Sequence, residues 1–464
     1  LTEGSGDYRM ALLTKMTTNK YDVIIVGGGP AGIFAALELC QCSDLRILLV
    51  EKGQDIDQRT NLVCGLGGAG AYSDGKLTLT PEVGGRLTEY LSDHEICALI
   101  EHVDAIYRRF GAPEQIYGMG DDINRLRRQS SLPGLRLVPV PVRHLGTDRC
   151  RAILRAMRDH LAPRLEIRLE TNAATVTTRD HRATGIVTAD GENIAGDHLI
   201  LAPGREGADW LATEAKRLGL TLYNNPVDVG VRVELPAAVT NKLTDILYEA
   251  KLEYLTPSFD DRIRTFCMCP AGEVTMETTG GSDPVITVNG HSYADSRSQN
   301  TNFALLVSTD FTKPFHEPIA YGKYLARLAN ILSGGVLVQR LGDLMAGRRS
   351  TPARIARGMV KPTLKEATPG DLSFVMPYRH LTDIIEMLQA MNKIAPGVAA
   401  KHTLLYGVEV KFYSCRLHLS PGLETEIENM FAVGDGAGVS RGLIQSSVSG
   451  IIAARQILKR LRGH

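Results

Sequence analysis

Six consecutive residues, Gly27-Gly28-Gly29-Pro30-Ala31-Gly32, carry glycines at the G-x-G-x-x-G spacing, and Glu51 follows 19 residues after the last of them. The chemistry open to that pattern is the binding of a dinucleotide. Gly27 permits a tight turn, Gly29 lets backbone approach a pyrophosphate, and Gly32 lets a helix pack onto the preceding strand. The helix start, at Pro30 and Ala31, offers unpaired N–H groups and the positive end of a dipole. A carboxylate at Glu51, with Lys52 beside it, accepts hydrogen bonds from ribose hydroxyls and repels a 2′-phosphate, which leaves FAD or NAD rather than NADP.

Other residues could act on a substrate. Cys267-Met268-Cys269 carries two thiols two residues apart, and in an extended chain joining them needs a bend. Such thiols could relay electrons, attack a substrate or simply pack. Asn289-Gly290-His291-Ser292-Tyr293 joins a turn to an imidazole and a phenol suited to acid–base work. His380 follows Tyr378-Arg379, and His144 precedes Thr147-Asp148, a helix-capping signal.

These groups need elements to hold them. Tyr21–Val26 is an apolar, β-branched run without alternation, as in a parallel strand buried on both faces. Ile33 to Cys40 reads as a helix and Arg46–Val50 as a second buried strand, with Glu51 at its end. Leu165–Ala173 reads as a further strand, and Thr184–Gly191 as part of a hairpin turning at Asp190-Gly191. From about 225 to 400 the runs are short and β-branched (Val227–Val233, Val274–Thr278, Val285–Val288, Phe303–Thr309), which predicts an antiparallel sheet. Amphipathic segments at Tyr321–Leu332 and Leu381–Met391 add helices.

Phe431-Ala432-Val433-Gly434-Asp435-Gly436-Ala437-Gly438, followed by a helical stretch from about 442 to 460, resembles the Gly-Asp motif of flavoproteins with the glutathione-reductase type of Rossmann fold. His198–Arg205 is similar to the Ala-Thr-Gly strand of the same proteins, with Pro203 in place of Thr. The resemblance implies FAD as the cofactor. Gly434 and Asp435 would meet the ribityl chain, and Gly442, Leu443 and Ile444 would point a helix start at the pyrimidine ring. Ala202 and Gly204 would line the returning strand, and Ala173 would lie near adenine. Positive charge at that helix start would favour anionic reduced flavin.

Four longer stretches, Cys64–Leu77, Arg143–Asp148, Phe266–Val274 and Gly434–Gly442, together resemble a largely uncharacterised family of FAD-dependent dehydrogenases, from about residue 20 to the C-terminus. In such relatives the loop Gly65–Lys76 faces the isoalloxazine. Gly67, Gly68, Ala69 and Gly75 would then bring backbone to the ring. Ser73, Asp74 and Lys76 would be the polar groups nearby, with Asp74 ordering the loop and Lys76 stabilising negative charge on reduced flavin.

The fold class expected is α/β: a discontinuous FAD-binding Rossmann domain of the glutathione-reductase type (20–224 plus 401–464) with an inserted α+β substrate domain on an antiparallel sheet (225–400). Residues 1–19 read as a disordered tail or an expression remnant. The function expected is an FAD-dependent oxidoreductase, a dehydrogenase or reductase moving a hydride between a small organic substrate and flavin N5. A flavin monooxygenase, an isomerase and an RNA-modifying flavoenzyme stay open as alternatives. No second dinucleotide fingerprint is present, so the electron donor or acceptor, NAD(P)H or a redox protein, must visit the flavin directly.

The bulk properties agree. With 52 basic and 52 acidic residues the chain has no global field to recruit nucleic acid or an anionic membrane. Eleven arginines between Arg125 and Arg168 lack interleaved aromatics and scatter over several faces. Eight dispersed cysteines, with no Cys-x-x-Cys and no zinc spacing, fit a reducing cytoplasm and no metal site. No apolar run approaches membrane-span length.

Overall fold

The computed structural model of the chain describes residues 20–42, 44–59, 64–73, 75–223, 227–279, 284–292, 297–309, 317–411 and 416–463. Tyr21–Val26 lies at the centre of a seven-stranded sheet. Ile47–Val50 and then Glu166–Arg168 lie parallel on one side, and Asn193–Leu201 lies parallel on the other, itself paired with Met430–Ala432. The missing alternation in Ile47–Val50 is explained by its burial at every position. Asn193–Leu201 does two jobs: its first residues close an antiparallel meander with Arg182–Thr188 and Ala173–Arg179, and its last six join the parallel sheet. The meander turns at Asp190-Gly191, where Gly191 N donates to Thr188 O at 3.0 Å.

The strand expected at Leu165–Ala173 is divided. It stops at Arg168 and a new one starts at Ala173, because Glu170 takes a left-handed φ of 50° while the N–H groups of Glu170 and Thr171 bond to the carbonyls of Gly53 and Glu51. The segment is thereby pinned over the end of the Ile47–Val50 strand.

The second sheet has eight strands. Val227–Pro236 sits between Asn300–Thr309 and Leu404–Lys411, and Arg262–Cys269, Lys251–Leu255 and Arg136–Val138 continue outward from Asn300–Thr309. All of these contacts are antiparallel. Two strands depart from the expected boundaries. Leu404–Lys411, buried over seven of its eight residues, needs a neighbour on both edges and finds them in Val227–Pro236 and Leu337–Arg340, so the chain has not returned to the first sheet at 401. Arg136–Val138 reaches across to edge the second sheet. Glu273–Thr279 and Val285–His291 pair only with each other, as a separate hairpin. Helices Pro318–Ser333 and Tyr378–Asn392 contain the two amphipathic segments and bury their apolar faces in the core of the second sheet.

Each large sheet has its own apolar core. In the first, helix Pro30–Cys42 meets the C-terminal helix Leu443–Leu461 at backbone distance: a Cβ on Gly450 would stand 2.0 Å from Ala31 O. Among the described residues no helix is long and apolar enough to cross a membrane.

Candidate active site

Tyr21–Val26 has its parallel neighbours reached in opposite directions, so a crevice opens beyond its carboxyl end, where ligands of such sheets bind. The loops leaving four strands converge there: the glycine turn after Val26, Glu51 after Val50, Ala202-Pro203-Gly204 after Leu201, and Gly434-Asp435 after Ala432. They line one end of a cavity of about 570 Å³, within the usual span of cofactor sites, roughly 300–1,000 Å³.

At this end recognition is built from backbone. A Cβ on Gly27 would lie 2.1 Å from Ala202 O, and one on Gly32 would lie 2.0 Å from Gly27 O, so strand, turn and helix close up only with glycine at both positions. Neither helix that starts at the cavity, Pro30–Cys42 or Leu443–Leu461, has an acid in its first turn, so both positive ends stay available to an anion. Glu51 is buried; its Oε2 accepts from Gly28 N at 2.9 Å, and its Oε1 accepts from Gly53 N at 2.9 Å and Gly65 N at 3.1 Å. The Cys64 thiol also reaches Oε1, at 4.0 Å, whereas Oε2 has Gly28 N as its donor and keeps a lone pair for a ribose hydroxyl. Burial raises the Asp435 carboxyl, against the pull of Arg205 and a 2.7 Å hydrogen bond from Ser440 Oγ. Thr171, Asn172, Ala173 and Trp210 line the same end. Two helix starts, a buried hydroxyl-seeking acid and a glycine turn fit the phosphates and ribose of FAD.

The loop that begins at Cys64 lies against the glycine turn. Gly67 N donates to Gly28 O at 2.8 Å, and the space a Cβ on Gly68 would take ends 3.0 Å from Gly29 Cα. Arg59, buried beneath it, donates through Nη1 to the carbonyls of Gly65, Leu66 and Gly68 at 3.2, 2.9 and 2.9 Å. Ser73 Oγ donates to Gly70 O and accepts from Gly75 N, closing the turn into the short strand Lys76–Thr78. Gly68, Ala69 and Ser73 face the cavity. Gly67 and Gly75 face away, against Leu154 and Cys150 of helix Thr147–Leu161.

The other end is built from side chains. Phe266 and Cys267 come from one strand of the second sheet, Lys411 from another and Asn289 from the hairpin, while Lys76 and Arg441 come from the loops of the first sheet. The charges are held by partners. Lys411 Nζ lies 3.0 Å from Glu409 Oε1, and the guanidinium of Arg232 lies 3.3 Å from Glu409 Oε2; Arg232 and Glu409 are fully buried. Lys76 Nζ donates to Met268 O at 2.9 Å and lies 3.5 Å from Glu249. Burial alone would raise the Glu249 carboxyl, but the ammonium groups of Lys251 and Lys76 outweigh it and hold it at about 2. Lys251 and Arg264 each stand 5.0 Å from the centre of the Phe266 ring.

Most of the expected cofactor positions line this one cavity: Gly27, Gly29, Pro30, Ala31, Glu51, Lys52, Ala202, Gly204, Gly434, Asp435, Gly442 and Leu443. Gly32 and Ile444 sit behind it in packing positions. Of the expected catalytic groups, Lys76 and Cys267 are on the wall. Cys269 is fully buried, yet its Sγ is 4.0 Å from that of Cys267: the register shifts between Phe266 and Cys269, and Cys267 has a φ of 45°, which supplies the bend that an extended chain lacks. His291 ends the hairpin, paired across it with Glu273, and is not among the lining residues; Asn289 is. Asp74 and Tyr293 lie outside the described residues. His144 shares a 2.9 Å hydrogen bond with Tyr248, and His380, whose imidazole burial pushes down to about 4, contacts Thr309. Six of the eleven arginines, Arg125, Arg136, Arg143, Arg155, Arg158 and Arg168, are ion-paired. Arg59, Phe266, Asn289, Lys411 and Arg441 were not singled out by the sequence. A signal existed for Lys411, since Glu409 and Lys411 place two charges in an otherwise apolar strand.

Residues 22–227 match the family described as FAD binding domain, and residues 226–412 the one described as FAD-dependent protein, C-terminal domain-like. An uncharacterized protein of Clostridium beijerinckii is 28% identical over 480 aligned positions, covering 94% of this chain and 80% of its own. Among solved structures, glycine oxidase from Geobacillus kaustophilus is 14% identical, with 95% of each chain covered and a TM-score of 0.40. The 3-ketosteroid-delta4-(5alpha)-dehydrogenase from Rhodococcus jostii RHA1 is 14% identical over 96% of this chain and 98% of its own, with a TM-score of 0.45. The two family matches meet beside the start of the Val227–Pro236 strand and together run from residue 22 to 412, so the chain fits an uncharacterised FAD-dependent family.

Proposed function

We propose that the protein moves a hydride between a small organic substrate and flavin N5, in an FAD site of the glutathione-reductase type. The observation that carries this reading is the continuity of one cavity, from the glycine turn to Cys267, Asn289 and Lys411 of the opposite domain. We divide the chain into an FAD-binding domain, running to about 224 and resuming near 416, and a substrate domain between them, in keeping with the two sheets and their separate cores.

The pyrophosphate would rest on the start of helix Pro30–Cys42, the ribose on Glu51, the ribityl chain on Asp435, and the ring between the Gly68–Ser73 loop and the start of helix Leu443–Leu461. When bound, the flavin supplies two-electron chemistry at N5. The residues of the chain do the rest. Lys411 and Arg441 bring positive charge to the substrate side, where anionic groups on substrate or ring would be stabilised. Lys76 is held by Glu249 and the Met268 carbonyl, so its charge stays fixed in place. Asn289, whose Nδ2 donates to Glu277 Oε2 at 2.8 Å and whose Oδ1 accepts from Gly290 N at 2.9 Å, keeps one N–H and one lone pair with which to orient a substrate oxygen. The electron partner, NAD(P)H or a redox protein, would reach the ring through this same cavity.

The test is the visible spectrum of the purified protein, followed by anaerobic addition of NADH and NADPH. Flavin bands are expected, and bleaching by either nucleotide assigns the reductase direction. Bands untouched by both assign a dehydrogenase reduced by its own substrate. A protein that stays colourless after FAD is added sinks the reading.

A further inference from the structure

We propose that Cys267 and Cys269 form a redox-active dithiol–disulfide couple on the substrate-side wall of the cavity, which exchanges two electrons with the flavin. The proposal rests on the reading of the cavity as the flavin site.

The geometry is local and specific. Side chains two apart on a regular strand share a face, but their Cα atoms stand roughly 6.4–6.8 Å apart, at the far limit for a disulfide, so the chain must shorten locally before two such thiols can join. Here the strand bulges between Phe266 and Cys269, Cys267 takes a left-handed φ of 45°, and the sulfurs come to 4.0 Å. Such a φ is uncommon for any residue but glycine and persists only where the surroundings enforce it. The surroundings do so. Arg232, buried and paired with Glu409, donates through Nη2 to the Cys267 carbonyl at 3.0 Å. A Cβ on Gly272 would lie 2.8 Å from Cys269 Cβ, so the chain closes tightly behind the second thiol. A disulfide needs its sulfurs near 2.0 Å, so roughly 2 Å of side-chain travel separates this pair from a bond.

The two thiols are not equivalent. Cys267 lines the cavity and Cys269 is fully buried behind it. The hydrogen bond with Cys267, followed by burial, pushes the Cys269 thiol well above its usual range. Cys267 is thus the sulfur that meets an incoming group and Cys269 the one that resolves it, and the seal around Cys269 protects it from over-oxidation. In the step, two S–H bonds break and one S–S bond forms. Of the two electrons and two protons released, oxidised flavin takes both electrons and one proton, and the second proton leaves to solvent. The reverse reaction recharges the dithiol from reduced flavin.

The experiment uses the holoprotein with its FAD. After oxidation in air, it is denatured, alkylated and digested; the peptide holding both cysteines is expected to carry no alkyl group and to be two hydrogens lighter than the dithiol. Anaerobic titration with dithionite is expected to consume four electrons per bound FAD in the wild type and two in Cys267→Ser and Cys269→Ser, with Cys97→Ser still taking four. Two electrons per FAD in the wild type, or full alkylation of both thiols after air, overturns the proposal. A disulfide that forms but stays outside the flavin titration overturns it as well. Peptide mapping of the wild type requires no variant to fold, and absence of flavin absorbance would instead mark failure of the cofactor reading.

Discussion

The two ends of the cavity are made of different materials. At the phosphate end the contacts come from backbone: the glycine turn, two helix starts, and a buried Glu51 that ties loops together through N–H groups. At the substrate end they come from side chains on separate strands, with Arg232, Glu409 and Lys411 buried or half-buried and leaning on one another. A backbone site tolerates no added atoms, since Gly27 and Gly32 already touch carbonyl oxygens. A site of paired charges tolerates no lost partner, because a buried charge left alone costs more than the pair contributes. Binding and chemistry should therefore fail separately.

Four changes would break or sharpen that contrast. Replacing Arg232 with Leu leaves the Glu409 carboxylate buried beside Lys411 alone, and a loss of about 3–5 kcal/mol in urea unfolding is expected, while the folded fraction still takes up one FAD. Loss of flavin in proportion to stability would erase the distinction between the ends. Gly32→Ala acts at the opposite end: its Cβ must displace Gly27 O, at an overpacking cost of about 1–3 kcal/mol, so FAD affinity measured by calorimetry should fall as much as about 100-fold. A Gly32→Ala protein that binds FAD normally refutes the backbone account. Lys411→Met should leave FAD binding intact and slow flavin reduction by about tenfold, near 1.4 kcal/mol, in anaerobic stopped flow.

The fourth effect is spread over a pH range. Glu249, ordinarily near 4.5, is held at about 2 in the fold, so the stability it contributes is complete above the ordinary value and lost as pH falls through the folded one. Between about pH 4.5 and 2 the wild type should lose up to about 1.4 kcal/mol per pH unit from this group, and Glu249→Gln should flatten that slope by the same amount. Equal slopes would mean that Lys76 and Lys251 do not hold the carboxylate as their positions indicate.

The same contrast explains what could be read from the amino-acid sequence. Gly27, Gly29, Gly32 and Glu51 stand in one contiguous unit, and the backbone conformations they permit leave a spacing that needs no third dimension. Gly434-Asp435 was legible for the same reason. Lys411 and Asn289 reach the cavity only through strand pairings far apart in the chain, and Arg59 works by donating to carbonyls, which any sequence offers. His291 suits acid–base chemistry by its type, but Asn289, two residues earlier on the same strand, lines the cavity and His291 does not. Leu404–Lys411 pairs in the second sheet rather than returning to the first at 401, because burial of a strand does not say which sheet it joins. Joining the two thiols needs a bend, but the left-handed φ at Cys267 that supplies it has no compositional signature.

The placement of Gly434 and Asp435 in the wall begun by Gly29 has a consequence for biosynthesis. About 400 residues separate the two sides of the phosphate pocket, and a ribosome adding ~5–20 residues per second needs roughly 20–80 s to make them. Until then the Asn193–Leu201 strand lacks its neighbour Met430–Ala432, and helix Pro30–Cys42 lacks the helix Leu443–Leu461 that packs against it. The nascent chain must keep an unfinished apolar sheet from sticking elsewhere, and cofactor loading must wait until the helix Leu443–Leu461 has emerged and can trap FAD against a turn made more than a minute earlier at the slower rate.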